Sequence, residues 1–120
     1  MQGVFKTKLK PCYSDDLRTT TELLNGQLDI RNVKLLKVNG GTKVGGHSHP
    51  YFEAKYLLAG RARYTVTCQG LIEQFDFLEG ELLIMAPHIV HTAEFPIYSV
   101  LLDFSEVGFI SSDLNNEFVR

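Results

Sequence analysis

Short alternating segments of apolar and polar residues run along most of the chain and predict β-strands. The clearest is Arg61–Thr67, in which Ala62, Tyr64 and Val66 share one face and polar residues occupy the other. Turn signals rich in glycine, asparagine or proline separate such segments at intervals of roughly 8–12 residues, a spacing typical of an all-β sandwich or barrel. The predicted strands are Val4–Lys8, Ile30–Val38, Phe52–Ala59, Arg61–Thr67, Leu71–Phe77, Glu81–Ala86, Val90–Phe95 and Tyr98–Phe104.

Helical signals are scarce. Thr19–Glu22 fits a capping box before Leu23, but its threonines favour an extended segment equally well. Asp113–Phe118 is predicted to form at most one helical turn, within a partly ordered or dimer-contacting end. No repeat, linker or low-complexity tract divides the chain. We therefore predict a single domain over residues 1–120, with residues 105–120 as a C-terminal extension.

Length and charge narrow the class of protein. A chain of 120 residues suits a single core, and its formal net charge of −2 argues against nucleic-acid or polybasic membrane binding. Apolar runs such as Leu82–Ala86 are too short to span a bilayer, and Met1–Cys12 lacks the apolar stretch of a signal peptide. We therefore expect a cytoplasmic protein with no nucleic-acid or membrane partner. Cys12 and Cys68 are expected to be reduced thiols.

The pair His47 and His49 is the strongest chemical signal. Two residues apart on an extended strand, both side chains point to one face, and Glu53 has the same parity. Imidazole and carboxylate at this spacing suit a divalent transition metal. His91 is a fourth candidate, on a distant segment that an all-β barrel can bring beside the first. A histidine pair on a strand is also often a surface or core pair that binds no metal.

The spacing of these residues resembles the first motif of the cupin family. Gly41 is followed after five residues by His47, which is followed after one residue by His49. Glu53 comes after three more residues and Gly60 after a further six, so every interval of the motif is matched.

The second cupin motif is met in part. Gly80 and His91 stand at the expected separation, whereas Ala86, His88 and Phe95 replace the usual proline, glycine and asparagine. The two motifs and the strands around them span roughly residues 30–104. Phe95 predicts a pocket floor that is more apolar than usual, which favours a small pocket.

The resemblance implies an all-β double-stranded β-helix, the jelly-roll cupin barrel. It also implies one divalent transition metal ion held by His47, His49, Glu53 and His91, although some cupins have lost their metal. The sequence does not distinguish zinc, manganese, iron and nickel. Cupins of this size often form homodimers, and exposed edge strands give a physical motive for such pairing.

Three further residues are candidates for catalysis. Lys55 shares the parity of Glu53 and is expected to enter the barrel and clamp an anionic group, unless a bulge turns it to solvent. Tyr64 is expected to hydrogen-bond the substrate, and His88 to move protons at the barrel mouth, with a solvated loop histidine as the alternative. Lys34 is a possible substrate clamp, or simply a charge on an edge strand.

The expected function follows from a Lewis-acidic metal in a barrel. Such a site suits an isomerase or epimerase acting on a small polar carbonyl or sugar-like substrate. The strings Ser14–Arg18, Ile30–Val33 and Leu101–Ser105 weakly resemble small cupins of polysaccharide and sugar-nucleotide biosynthesis, some of which use a histidine base without a metal. The alternatives are an iron-dependent dioxygenase of the cupin type and a non-catalytic cupin that binds a sugar or another small molecule.

Overall fold

The computed structural model describes residues 2–107, and the predicted helical turn and most of the C-terminal extension lie outside them. The described residues form eleven β-strands, and none of them belongs to a helix long and apolar enough to cross a membrane. Every predicted strand is present, with ends shifted by two residues at most. The strands are β1 (Val4–Lys8), β2 (Tyr13–Ser14), β3 (Thr19–Thr20), β4 (Asn32–Val38), β5 (Thr42–His47), β6 (Glu53–Ala59), β7 (Arg61–Cys68), β8 (Leu71–Leu78), β9 (Glu81–Met85), β10 (Val90–Phe95) and β11 (Ser99–Ser105).

Two antiparallel sheets face each other and make the barrel. One has the order β1-β9-β6-β11-β4, and the other has the order β5-β10-β7-β8. Consecutive strands repeatedly fall in opposite sheets, as β4 and β5 or β5 and β6 do. This arrangement of antiparallel sheets is the predicted jelly-roll.

The main apolar core lies between the two sheets. Leu57 and Leu83 come from the five-stranded sheet, and Tyr64 and Phe77 come from the four-stranded sheet; all are almost fully buried. The Tyr64 ring meets the Phe77 ring edge-on, with centroids 5.7 Å apart. The alternating pattern of β7 therefore points its apolar residues inward, as its sequence predicts.

A second apolar layer covers the outer face of the five-stranded sheet. Ala54, Leu82 and Phe104 are buried there against partly buried side chains that include Leu23 and Leu28. The segment that contains Thr19–Glu22 is extended in the structure, and β2 and β3 form a small hairpin. This part of the sheet is thus buried on both faces.

A bulge between β5 and β10 fixes the start of the candidate site. The strand register shifts between His91 and Thr92, where His91 lies opposite His47 and Thr92 lies opposite Gly45. Gly45 has a φ of 130°, and a Cβ atom there would overlap the backbone of Thr92 and His91. Glycine is therefore required at this position for β5 to approach β10 closely.

Candidate metal site and cavity

Three histidines meet where β5 lies beside β10. His47 ends β5 directly opposite His91 on β10, and their ring centroids are 4.7 Å apart. His49 lies just beyond the strand, with its ring 4.9 Å from that of His47. One ring nitrogen from each histidine lies within 4.8 Å of the other two. The structure thus brings together the three histidines predicted as metal ligands.

Glu53 reaches this group from the opposite sheet. Its carboxylate lies 3.2 Å from Nε2 of His91 and 3.8 Å from Nε2 of His49, and the residue is only 5% exposed. The expectation that one undistorted strand carries His47, His49 and Glu53 is wrong, because β5 ends at His47 and β6 begins at Glu53 in the other sheet. Residues 48–52 form the corner that turns these side chains toward each other.

The burial of His91 favours the neutral form of its ring. Burial lowers the pKa of His91 below its usual value, although the Glu53 carboxylate and the Ile89 carbonyl act in the opposite direction. The Ile89 carbonyl oxygen lies 3.2 Å from Nδ1, so Nδ1–H is placed to donate to it. In that neutral form, the lone pair of Nε2 faces the carboxylate of Glu53, and a neutral imidazole with a free lone pair is the form that ligates metals.

These four side chains fit a divalent transition metal. With His91 neutral, its Nε2 and a Glu53 oxygen are two electron-donating atoms 3.2 Å apart, a contact that a cation between them would stabilise. Three imidazoles and one carboxylate are ligands suited to zinc, iron, manganese or nickel. The donor set therefore fits a metal but does not select one.

A cavity of about 310 Å³ extends from these residues into the barrel. Lys55 lines it and donates a hydrogen bond to Asp103 Oδ1 at 3.1 Å, with only 11% of the lysine side chain exposed. The structure therefore places Lys55 in the barrel, in the predicted orientation, and paired with a carboxylate. Phe95 also lines the cavity and makes part of it apolar, as expected from its sequence position.

Tyr64 contributes a hydroxyl group to the same cavity. The side chain is 2% exposed and lines the cavity, yet its hydroxyl makes no hydrogen bond within residues 2–107. No fully buried polar side-chain atom in this range lacks a partner, so the Tyr64 hydroxyl must touch the cavity space. Burial raises the pKa of Tyr64 far above its usual value, and the nearby carboxylates of Asp103 and Glu53 raise it further. The hydroxyl therefore stays protonated and able to donate.

His88 is not one of the residues that line the cavity. It is exposed, with a φ of 69°, and its backbone N–H donates to the His49 carbonyl at 2.8 Å. Its observed contact supports the loop that carries His49. Tyr51, by contrast, lines the cavity and stacks on the His49 ring at a centroid distance of 4.9 Å.

Asp103 is the functional candidate that the sequence analysis missed. It pairs with Lys55 across neighbouring strands and lines the cavity. The available signal was a lone carboxylate on a strand otherwise rich in apolar residues. Local patterning does not reveal which strand becomes its neighbour, so the pairing with Lys55 was not predictable.

Comparison with known proteins gives structural likeness only. No family model and no curated protein matches the chain. A mutant of the 3,4-ketoisomerase QdtA from Thermoanaerobacterium thermosaccharolyticum, solved with TDP-4-keto-6-deoxyglucose, has a TM-score of 0.76 at 17% identity over 93% of this chain and 86% of its own. The TDP-quinovose 3,4-ketoisomerase WlaRB from Campylobacter jejuni has a TM-score of 0.81 at 13% identity, over 93% and 91%. The rmlC epimerase of Mycobacterium tuberculosis has a TM-score of 0.75 at 12% identity, over 92% and 66%. This likeness establishes the jelly-roll fold.

Proposed function

We propose that this protein is a metal-dependent isomerase or epimerase acting on the carbonyl of a sugar-like substrate. The observation that carries the proposal is the convergence of His47, His49, His91 and Glu53 at a cavity of sugar size. Pockets for small molecules are concave and largely apolar, with a few convergent polar groups, and this cavity has that character.

The proposed chemistry divides between the metal residues and the opposite wall. A divalent ion held by the three histidines and Glu53 would act as a Lewis acid on a substrate carbonyl or hydroxyl oxygen. The Tyr64 hydroxyl and the Lys55 ammonium donate hydrogen bonds to oxygen atoms on which negative charge develops. The Asp103 carboxylate, held by Lys55, is an acceptor for the proton that leaves the carbon beside the carbonyl. For isomerisation, that proton returns to the former carbonyl carbon while the proton of the adjacent hydroxyl moves to the former carbonyl oxygen. For epimerisation, a proton returns to the opposite face of the carbon that lost one.

The support for a catalytic role of His88 is weaker than that for Lys55 and Tyr64. As a proton carrier at the mouth, it would have to act through solvent, because it does not line the cavity.

The size of the cavity and the structural neighbours support a sugar-like substrate. A volume of about 310 Å³ suits a single sugar ring, so a nucleotide attached to that sugar would remain outside. Two of the neighbours named above are 3,4-ketoisomerases, one solved with TDP-4-keto-6-deoxyglucose and one named for TDP-quinovose, and the third is an epimerase. They support isomerase chemistry over the cupin-type dioxygenase, although the same donor set also suits ferrous iron.

Two further expectations belong to the proposal. We propose a homodimer, supported by the edge strand β4, on which Val33 and Leu35 are more than half exposed. The cytoplasmic location remains a prediction from the sequence.

The test combines metal analysis with a search for turnover. Protein purified without added metal is analysed for bound elements, and the loaded protein is incubated with keto-sugar nucleotides and hydroxy acids. Isomerised or epimerised product without oxygen consumption supports the proposal. Oxygen uptake on substrate addition would identify a dioxygenase instead, and ligand binding without turnover would identify a binding protein.

A further inference from the structure

A row of charged side chains crosses three strands of the five-stranded sheet on its cavity face. Asp103 of β11 lies directly opposite Lys34 of β4 on one side and Lys55 of β6 on the other. All three line the cavity. The sequence analysis left Lys34 open as either a substrate clamp or a charge on an edge strand, and its place in this row favours the first.

We infer that Lys34 binds an anionic group of the substrate where the cavity opens to solvent. This inference rests on the proposed function and deepens it by assigning the substrate a negative charge. The chemistry that fits is an oxyanion, which a carboxylate or a phosphate group supplies equally well.

The pairing of charges leaves Lys34 as the surplus cation. The carboxylate of Asp103 forms an ion pair with Lys55, whose Nζ lies 3.1 Å from Oδ1 of Asp103. No carboxylate within residues 2–107 forms an ion pair or a hydrogen bond with Lys34. Lys34 is both exposed and part of the cavity lining, which places the residue where the cavity opens to solvent.

The opposite face of β4 offers a comparison. Lys37 belongs to the same edge strand and is exposed, but it has the other parity and does not line the cavity. A lysine that only protects a sheet edge needs no particular face, as Lys37 illustrates. Lys34 instead shares its face with Leu36 and Val38, which also line the cavity.

A second observation points independently to a polar ligand. Tyr64 reaches the same cavity from the opposite sheet; the residue is 2% exposed, and its hydroxyl has no protein partner within the described residues. Because that hydroxyl opens onto the cavity, a polar atom of a ligand there can accept its hydrogen bond. An oxygen-rich ligand would meet Tyr64 inside the cavity and Lys34 at its opening.

The experiment measures the affinity of three sugars by calorimetry. Glucose 1-phosphate carries a phosphate, glucuronate carries a carboxylate and glucose is neutral. Each is titrated into the parent protein, Lys34→Met, Lys34→Arg and the matched control Lys37→Met, both as purified and after treatment with a chelator. Melting temperatures confirm that each variant is folded.

We expect one charged sugar to bind the parent more tightly than glucose does. Lys34→Met should lower that affinity about tenfold or more, since a hydrogen bond to a charged group is lost. Lys37→Met should leave it unchanged, and Lys34→Arg should retain most of it. The charged sugar whose affinity falls in Lys34→Met shows whether the oxyanion is a phosphate or a carboxylate.

The inference and the proposed function fail in different ways. Lys34 is not one of the proposed metal ligands. The fall in sugar affinity caused by Lys34→Met should therefore persist after chelation, whereas turnover should be lost. Equal affinities of Lys34→Met and the parent would overturn the inference, as would a parent that binds neither charged sugar better than glucose. Turnover that is the same before and after chelation would overturn the metal-dependent function but would leave the role of Lys34 standing.

Discussion

The Glu53 carboxylate lies 3.2 Å from Nε2 of His91, although the two residues belong to opposite sheets of the barrel. The candidate metal site therefore joins β6 of one sheet to β5 and β10 of the other. A metal bound there would link the two sheets and stabilise the folded state, because the unfolded chain offers no assembled site.

Removal of the carboxylate should weaken metal binding and its effect on stability. In the parent, a saturating divalent metal is expected to raise the melting temperature by about 5 °C or more. Glu53→Gln and His49→Ala should lose most of this increase and most of the bound metal, measured by thermal melting and elemental analysis. Glu94→Gln, on the exposed side of β10 and paired with Lys43, is the control and should behave as the parent does. Full metal content in both site variants would contradict the assignment.

Lys55→Met should separate catalysis from metal binding. Methionine keeps much of the length and the apolar stem but removes the charge that pairs with Asp103 and faces the cavity. Turnover of a responsive keto-sugar is expected to fall about a hundredfold, as for the loss of a donor to a developing oxyanion, while metal content stays near that of the parent. Lys37→Met serves as the control on the outer face of the sheet. Equal turnover in Lys55→Met and the parent would remove Lys55 from the mechanism.

Tyr64→Phe should reduce activity with little effect on stability near pH 7. The hydroxyl makes no hydrogen bond within the described residues, so its loss leaves no protein partner unsatisfied. Burial raises the pKa of Tyr64 above its usual value of 10.0, so the unfolded chain ionises more easily than the folded protein. Stability from this group is therefore present below about pH 10 and is lost as the pH rises further.

The pH dependence can be measured by chemical denaturation between pH 8 and pH 11. Tyr64→Phe should show a smaller loss of stability at alkaline pH than the parent. Absorbance of tyrosinate in the native parent should match that of native Tyr64→Phe over the same range, because Tyr64 stays protonated. A parent that gains the absorbance of one additional tyrosinate would contradict the assigned environment.

Gly45→Ala should damage the site through the backbone. A Cβ at this position would overlap the backbone of Thr92 and His91, and the φ of 130° disfavours any side chain. We expect β5 to move away from β10, with loss of metal binding and a clear fall in melting temperature. Gly46→Ala is the matched control, since Gly46 has a φ of 77° but nothing within 4 Å of its added Cβ. It should cost only about 1 kcal/mol and keep the metal. Similar behaviour of the two variants would refute the role of the bulge.

Most of the fold could be predicted from the sequence because strands are defined by local patterns of apolar, polar and turn residues. The alternation in β7 and the turn glycines before β8 and β9 define strands without reference to distant residues. The outer layer over Leu82 and Phe104 was not predicted, because burial on both faces of a sheet depends on where the segment before β4 packs.

The candidate site was predicted from spacing, but part of the reasoning was wrong. The parity argument assumed one strand from His47 to Glu53, whereas a corner separates them into two sheets. The motif spacing still held, because it describes that corner as well as the strands. The partner of Lys55 could not be predicted, since Asp103 becomes its neighbour only when β11 pairs with β6.

The most direct test of the central claim is proton exchange followed by nuclear magnetic resonance. A keto-sugar nucleotide such as TDP-4-keto-6-deoxyglucose is incubated in deuterated water with metal-loaded protein, metal-stripped protein and protein to which metal has been returned. The account predicts that the loaded protein introduces deuterium at a carbon beside the carbonyl. Stripping the metal should abolish this incorporation and returning it should restore it. Incorporation that continues at the same rate in stripped protein, or no incorporation by loaded protein with any keto-sugar tested, would contradict the account.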